Sequence, residues 1–283
     1  MPEGDTVWLT AYRLREALAG RRLVRGELRV PRLAATDLAG RAVEEVVPRG
    51  KHLLTRIEGG WTLHSHLRMD GSWQVYRAGE RWRGGPQWQV RAVLATAENV
   101  AVGYRLPVLA LLPTTEEASV VGHLGPDLLG PDWDPEEAVR RLLADPARPV
   151  GEALLDQRNL AGVGNVYKSE LCFLRGVTPW TPMGDVPGPE RLVALARKLL
   201  DANKARHGHI TTGDPRRGRT HWVYGRLSQP CLRCGTAVRG VGRSDGRSRP
   251  ARNGCRTGAR PASAAPPRRQ ADPRREADTR TPW

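Results

Sequence analysis

The hydrophobic period of this chain changes once, and that change divides the sequence into two kinds of packing. Up to about residue 106, apolar residues come in short runs that largely alternate with polar ones. After a stretch rich in Pro, Gly and Asp at 125–134, they recur at three- and four-residue spacing. Alternation suits strands with one buried face, and the longer period suits amphipathic helices. The expected fold class is therefore α+β: a β-sandwich preceded by a helix, a linker over 125–134, and an all-α unit.

Within that frame, Val7, Ala11, Leu14, Ala17 and Leu18 predict a helix over 5–19, with Asp5 or Thr6 as N-cap and Gly20 as the stop. Strands follow as RLVRGELRV, AVEEVV, KHLLTRIE, WTLHSHL, SWQVY and QVRAVLAT, with Gly59-Gly60 as a two-residue hairpin turn. Asp134 followed by Pro135 opens a helix whose stripe is Ala138, Val139, Leu142 and Leu143. Further helices are expected at about 149–157, 165–175 and 189–206.

Composition narrows the class of function. The 283 residues are 39% hydrophobic, enough for a core, and no apolar run approaches the ~20 residues of a membrane span. The start MPEGDT has no secretion-signal character, so the expected location is the cytoplasm, with the nucleoid as the place of action. A net charge of +15 points to a polyanionic partner. Residues 243–283 hold +7 of it and contain no Leu, Ile, Val, Met, Phe or Tyr, which predicts disorder there. Four cysteines are too few for a disulfide framework, and Cys231 with Cys234 has the spacing of half a metal site.

The segment LLDQRNLAGVGNVYKSEL places two short helices around a turn at 158–164, where Gly162 and Gly164 permit close backbone approach. Such a turn, leading into a helix N-terminus with Asn165 as a further donor, could grip a phosphate. It could equally be a tight connection whose glycines serve only packing. His64 and His66 share one face of a strand; no third ligand accompanies them, which favours a structural role over a metal. Cys172, among apolar neighbours, reads as an inert buried thiol.

That segment resembles the helix–two-turn–helix of the formamidopyrimidine-DNA glycosylase and endonuclease VIII family. PEGDT at the start, RGKHLL at 49–54, HSHLRMDGSW at 64–73 and VYGRLSQPCLRCG at 223–235 also match, in family order. The resemblance spans about residues 2–240. It implies a monomer acting on damaged double-stranded DNA, with a catalytic β-sandwich over 2–124, a helix–two-turn–helix unit over 135–222 and a zinc finger from 223.

In the family the initiator methionine is lost, and the amine of Pro2 attacks the sugar carbon bearing the damaged base. The chemistry suits that amine: an α-amino group titrates near pH ~8, far below the ~10.4 of lysine. A secondary amine also gives a cationic iminium, an electron sink for β,δ-elimination of the two phosphates. Glu3 then matches the general acid, Lys51 a contact to DNA near the lesion, and Met69 the wedge that fills the gap left by a flipped nucleotide. Gly162, Gly164 and Asn165 match the DNA-contacting turn, and Cys231 and Cys234 two of four zinc ligands.

The sequence departs from the family after Cys234. No second Cys-x-x-Cys follows, Cys255 stands alone and no His follows His221, whereas a structural zinc takes four ligands. Residues 257–263, TGARPAS, written as codons and read one frame over, are compatible with Tyr-Trp-Cys-Pro-Thr-Cys-Gln, the family's usual ending. A frameshift between about 236 and 256 accounts for this. It leaves a disrupted finger region over 223–263 and a tail over 264–283.

The short segment 211–224 and the lack of an Arg-x-Phe after the strands lean toward the endonuclease VIII branch and oxidised pyrimidines. Two other readings are a DNA-binding protein of the same family with impaired catalysis, and a structural nucleic-acid-binding module like those of ribosomal proteins. The PEG start and the sandwich argue against the last.

Overall fold

The computed structural model describes residues 2–239. Helix α1 spans Gly4–Leu18, one residue earlier at each end than its apolar spacing suggests. Its N-cap is Glu3, not Asp5 or Thr6, because those two side chains are engaged elsewhere. Among the described residues, nine antiparallel strands follow: β1 (Arg21–Arg22), β2 (Arg25–Leu28), β3 (Ala42–Arg49), β4 (His52–Ile57), β5 (Trp61–His66), β6 (Ser72–Arg77), β7 (Val90–Ala95), β8 (Asn99–Tyr104) and β9 (Val108–Pro113). They form two sheets, ordered β1-β3-β4-β5-β9 and β2-β7-β8-β6.

Two features of the sandwich differ from expectation. Ile57 pairs with Trp61, so Gly59 and Gly60 belong to a three-residue connection with Glu58, not a two-residue turn. The two-residue turn is instead Gly50-Lys51, between the paired Arg49 and His52. Strands β8 and β9 extend the sheets beyond the runs singled out above. The reason is plain for β9, since VLALLP is a short apolar run with no alternation, a pattern that does not separate a strand from a buried helix.

Helix α1 closes one side of the sandwich. Its Val7, Ala11, Leu14 and Leu18 share a core with Val43, Val46 and Leu53 of one sheet and Ala92, Leu94 and Ala101 of the other. The short α2 (Ala118–Val121) then leads to the helical unit: α3 (Pro135–Leu142), α4 (Val150–Leu155), α5 (Asn165–Leu174) and α6 (Pro189–Asn203). Asp134 caps α3 by accepting from the amides of Glu136 and Glu137, both at 3.0 Å. A separate core holds Leu142, Leu154, Tyr167, Leu171, Leu192 and Leu200.

A small hairpin covers the end of α5. Ser228 N–H donates to Val238 O at 2.8 Å, Val238 N–H to Gln229 O at 2.9 Å, and Cys231 N–H to Thr236 O at 2.8 Å. Cys255, the proposed frameshift and the tail lie outside the described residues. Among the described residues, no helix is long and apolar enough to cross a membrane. Because Leu14 joins α1 to both sheets, Leu14→Ala is expected to cost about 2–5 kcal/mol in denaturant unfolding.

Candidate active site

The N-terminus of the chain is docked onto the turn between α4 and α5. Gly4 N–H donates to Gly162 O at 2.9 Å, and the Glu3 carboxylate reaches past it to the start of α5. There Gly164 N–H donates to Oε2 at 2.7 Å, Val166 N–H to Oε1 at 2.7 Å and Tyr167 N–H to Oε2 at 3.3 Å. A helix N-terminus favours an anion because its first amides lack intrahelical partners and its dipole points the same way.

The turn thus already holds an anion from within the chain. Glu3 takes the amides of Gly164, Val166 and Tyr167, and the Gly162 amide donates to Gln157 Oε1 at 3.0 Å. Gly162 and Gly164 are buried, and in this structure their amides are taken by Gln157 and Glu3. A Cβ on Gly164 would lie 2.5 Å from Glu3 Cδ, so only glycine leaves room for the carboxylate. Gly162 has φ +112°, which a side chain would strain. Asn165 alone of the three is exposed, with Oδ1 accepting from Lys168 Nζ at 2.9 Å.

Lys51 sits in the β3–β4 turn and not on a strand edge. Its Nζ donates to Val163 O at 2.6 Å, so it crosses from the sandwich to the helical unit. Burial pushes its ammonium pKa down, opposed by attraction to Glu3. Glu3 is fully buried, and burial raises its pKa against the pull of Lys51, the Val166 amide, His209 and the Gly164 amide. The site therefore contains a carboxyl that keeps its proton to higher pH than usual and an amine that loses its proton more easily.

Pro2 lines a cleft of about 730 Å³ that runs along α1 past Thr6, Thr10 and Arg13. Leu67 and Gly71, which flank the β5–β6 turn, line the same cleft. Met69 stands out of that turn, 62% exposed, next to Arg68 with φ +46°. Arg105 Nε–H donates to Asp70 O at 3.1 Å and braces the turn from behind. The structure thus gathers Pro2, Glu3, Lys51, Gly162 and Gly164 around one junction, and sets Met69 on a turn bordering its cleft.

The expected histidine pair proves larger. His52 on β4 hydrogen-bonds His64 on β5, with Nδ1 and Nε2 2.9 Å apart, and packs edge-on against His66 and His123. Burial first, and then repulsion from the neighbouring histidines, holds His52 down to about 3; burial first, and then repulsion from Lys51, holds His66 down to about 4. No set of three or more metal-ligating side chains is assembled among the described residues. Cys172 is buried, and burial pushes its thiol up to about 12.

The resemblance implies zinc at Cys231 and Cys234, and the described residues do not fit it. Cys231 packs in an apolar cluster with Phe173, Val223 and Val238, and its Sγ accepts from Arg233 N–H at 3.4 Å; Cys234 is exposed. No third ligand stands with them among the described residues, so a closed tetrahedron is not formed there.

Sequence reasoning missed the group that anchors this region. Glu170, fully buried on α5, accepts from Val223 N–H at 2.9 Å and from Trp222 and Tyr224 N–H at 2.8 Å, and also from the Thr211 hydroxyl. Its signal was an acid on the inward stripe of a helix, beside Tyr167 and Leu171. The pairing of Asp5 with Tyr167 and His209 was also missed, since nothing local marks partners more than 160 residues away.

Comparison with known proteins agrees with this layout. Residues 1–105 match the formamidopyrimidine-DNA glycosylase N-terminal domain and residues 124–201 the formamidopyrimidine-DNA glycosylase H2TH domain. The chain is 62% identical to a probable endonuclease 8 2 of Streptomyces coelicolor, over 92% of this chain and 99% of that protein. It is 50% identical to the DNA-(apurinic or apyrimidinic site) lyase Nei2 of Mycolicibacterium smegmatis, over 84% and 92% of the two. The fold matches that of Lactococcus lactis Fpg in complex with abasic-site DNA, with a TM-score of 0.69 at 21% identity, covering 87% of this chain and 96% of that one.

Two predictions follow from the geometry. Gly164→Ala should displace Glu3 and lower stability by about 1–3 kcal/mol in denaturant unfolding, an overpacking cost. The histidine cluster should make the fold acid-sensitive. Unfolded imidazoles take up protons near pH ~6.5 whereas His52 and His66 resist protonation, so their contribution is present above that pH and lost as pH falls toward about 4. Urea midpoints measured from pH 7.5 to 4.5 should fall more steeply for the wild type than for His52→Gln.

Proposed function

The chain belongs to the formamidopyrimidine-DNA glycosylase and endonuclease VIII family, and from that premise we propose that it is a base-excision-repair DNA glycosylase with abasic-site lyase activity. The observation that carries this reading is the Glu3 carboxylate, buried at the α5 N-terminus beside Lys51 and directly following the proline whose nitrogen becomes the chain terminus once Met1 is removed.

In the reaction, the uncharged Pro2 amine attacks C1′ of the damaged nucleotide, and the C1′–base bond breaks with the electron pair leaving on the base, which takes up the proton that the amine nitrogen gives up. Glu3 gives its proton to the ring oxygen as the sugar opens, leaving an iminium between Pro2 and C1′. Its raised pKa keeps that proton available, and the amides of Gly164, Val166 and Tyr167 stabilise the carboxylate that results. The iminium acidifies C2′, whose proton loss expels the 3′ phosphate; a second elimination expels the 5′ phosphate. Water then hydrolyses the iminium and frees Pro2.

Lys51, attracted to Glu3 across the junction, is the proposed contact to DNA near the lesion. Asn165 with Lys168 offers an exposed polar pair for a phosphate, and Met69 an apolar wedge for the gap in the duplex. Oxidised pyrimidines and abasic sites are the proposed substrates, in keeping with the short segment at 211–224. The half-formed ligand set at Cys231 and Cys234 favours one further reading, a DNA-binding member of the family with weakened turnover.

Borohydride reduction during incubation with abasic duplex tests the proposal. A covalent adduct mapping to the N-terminal peptide is expected, and its absence, or an adduct elsewhere, would sink the Pro2 mechanism. DNA binding without an adduct would support the second reading. Glu3→Gln should slow base release by about 10²–10⁴-fold, the usual worth of a general acid. Thymine glycol duplexes should be cut faster than 8-oxoguanine duplexes.

A further inference from the structure

A second buried carboxylate stands two residues from Glu3 on the first turn of α1. Asp5 is 2% exposed. Its Oδ2 accepts from the Tyr167 hydroxyl at 2.6 Å, and its Oδ1 from Thr6 N–H at 2.8 Å. Both donors are neutral, and a buried carboxylate needs a compensating charge as well as hydrogen bonds. His209 is placed to supply that charge when protonated: its Nε2 lies 3.3 Å from Asp5 Oδ1, with only 10% of the side chain exposed.

His209 is held firmly for this purpose. It follows α6, and Asn203 at the end of that helix clamps the next residue from both sides: Ile210 N–H donates to Oδ1 at 2.9 Å, and Nδ2–H donates to Ile210 O at 3.1 Å. The imidazole also packs edge-on against the Tyr167 ring, with centroids 5.4 Å apart and planes at 89°. Tyr167 in turn belongs to the α5 turn whose amide holds Glu3. Asp5, Tyr167 and His209 therefore tie the start of α1, the start of α5 and the end of α6 at one point beside Pro2 and Glu3.

We propose that His209, as a cation against Asp5, is a positioning residue for the Pro2–Glu3 centre, holding the first turn of α1 and the nucleophile it carries against α5. The inference rests on the reading of Pro2 and Glu3 as the reacting pair. The groups facing His209 are Asp5 of α1 and Glu3 just before it, Tyr167 from α5 and His221 from the segment beyond, its ring 6.4 Å away. Burial pushes the imidazole pKa down, but Asp5 and then Glu3 outweigh it and the net shift is upward.

The sign of the pH dependence follows. With its folded pKa raised, His209 is charged below the ordinary imidazole value, and its contribution is lost as pH rises through the raised one. The Pro2 amine runs the other way, since its reactive neutral form grows as pH approaches ~8. Single-turnover rates should therefore rise and then fall with pH; loss of the Glu3 proton and loss of the His209 cation both feed the falling limb, and only the second is removed by a fixed cation at 209.

The test is the single-turnover rate on abasic duplex from pH 5.5 to 9.5 for the wild type, His209→Gln and His209→Arg. His209→Gln should lower kcat about 10-fold or more with KM changed less than about 3-fold, because positioning acts on the reacting geometry rather than on DNA affinity. His209→Arg, a cation at every pH, should recover most of the rate and move the falling limb to higher pH. A glutamine variant with the wild-type rate and profile overturns the proposal. Should the glutamine variant fail to fold, the arginine variant decides, and a ratio of its rate to the wild-type rate that stays flat as pH rises overturns it equally. An inactive wild type would instead overturn the Pro2 reading, and this inference with it.

Discussion

The interaction on which the rest depends is the capping of α5 by Glu3. Three backbone amides at a helix N-terminus converge on one carboxylate from the other end of the chain, 161 to 164 residues away. This contact joins two units that otherwise have separate hydrophobic cores. It also settles where Pro2 sits, because the residue before the cap has little freedom left. Lys51 adds a second tie through Val163 O, and Asp127 a third, its Oδ2 accepting from Gly50 N–H at 2.7 Å. Structure and chemistry thus share the same bonds.

That sharing explains the electrostatics of the junction. A carboxylate and an ammonium are both withdrawn from water, and each is shifted toward its neutral form by burial while their mutual attraction opposes the shift. The proposed role of Glu3 as a general acid draws on that balance. The histidine cluster behind Lys51 works in the same direction: His52 and His66 stay neutral, so no further positive charge builds up beside the lysine at neutral pH.

The hairpin at 228–238 shows a different solution to anchoring. In place of an assembled metal tetrahedron among the described residues, Glu170 holds the amides of Trp222, Val223 and Tyr224, while Cys231 packs into apolar contact with Phe173 and Val238. Arg233 lies over the Phe173 and Trp222 rings, 4.9 and 5.3 Å from their centroids. The hairpin is thereby fastened to the helix that also carries the Glu3 cap.

Much of this was legible in the sequence. The change of hydrophobic period marked the sandwich and the helical unit, and the motifs around Pro2, Lys51, Met69 and the 158–164 turn named residues that the fold brings to one cleft and junction. These features are local, and their physics is carried by neighbours within a few residues. Three things were not legible: that the amides of the turn are filled by the chain's own Glu3, that Asp5 is answered by His209, and that Glu170 anchors the hairpin. Each is a buried charge meeting a partner distant in sequence, and a local pattern records only that an acid faces inward. The sequence by itself determined which groups could do chemistry. Only the tertiary structure decided their partners, because the burial that shifts a proton and the amides that hold a charge exist only once the two units are packed together.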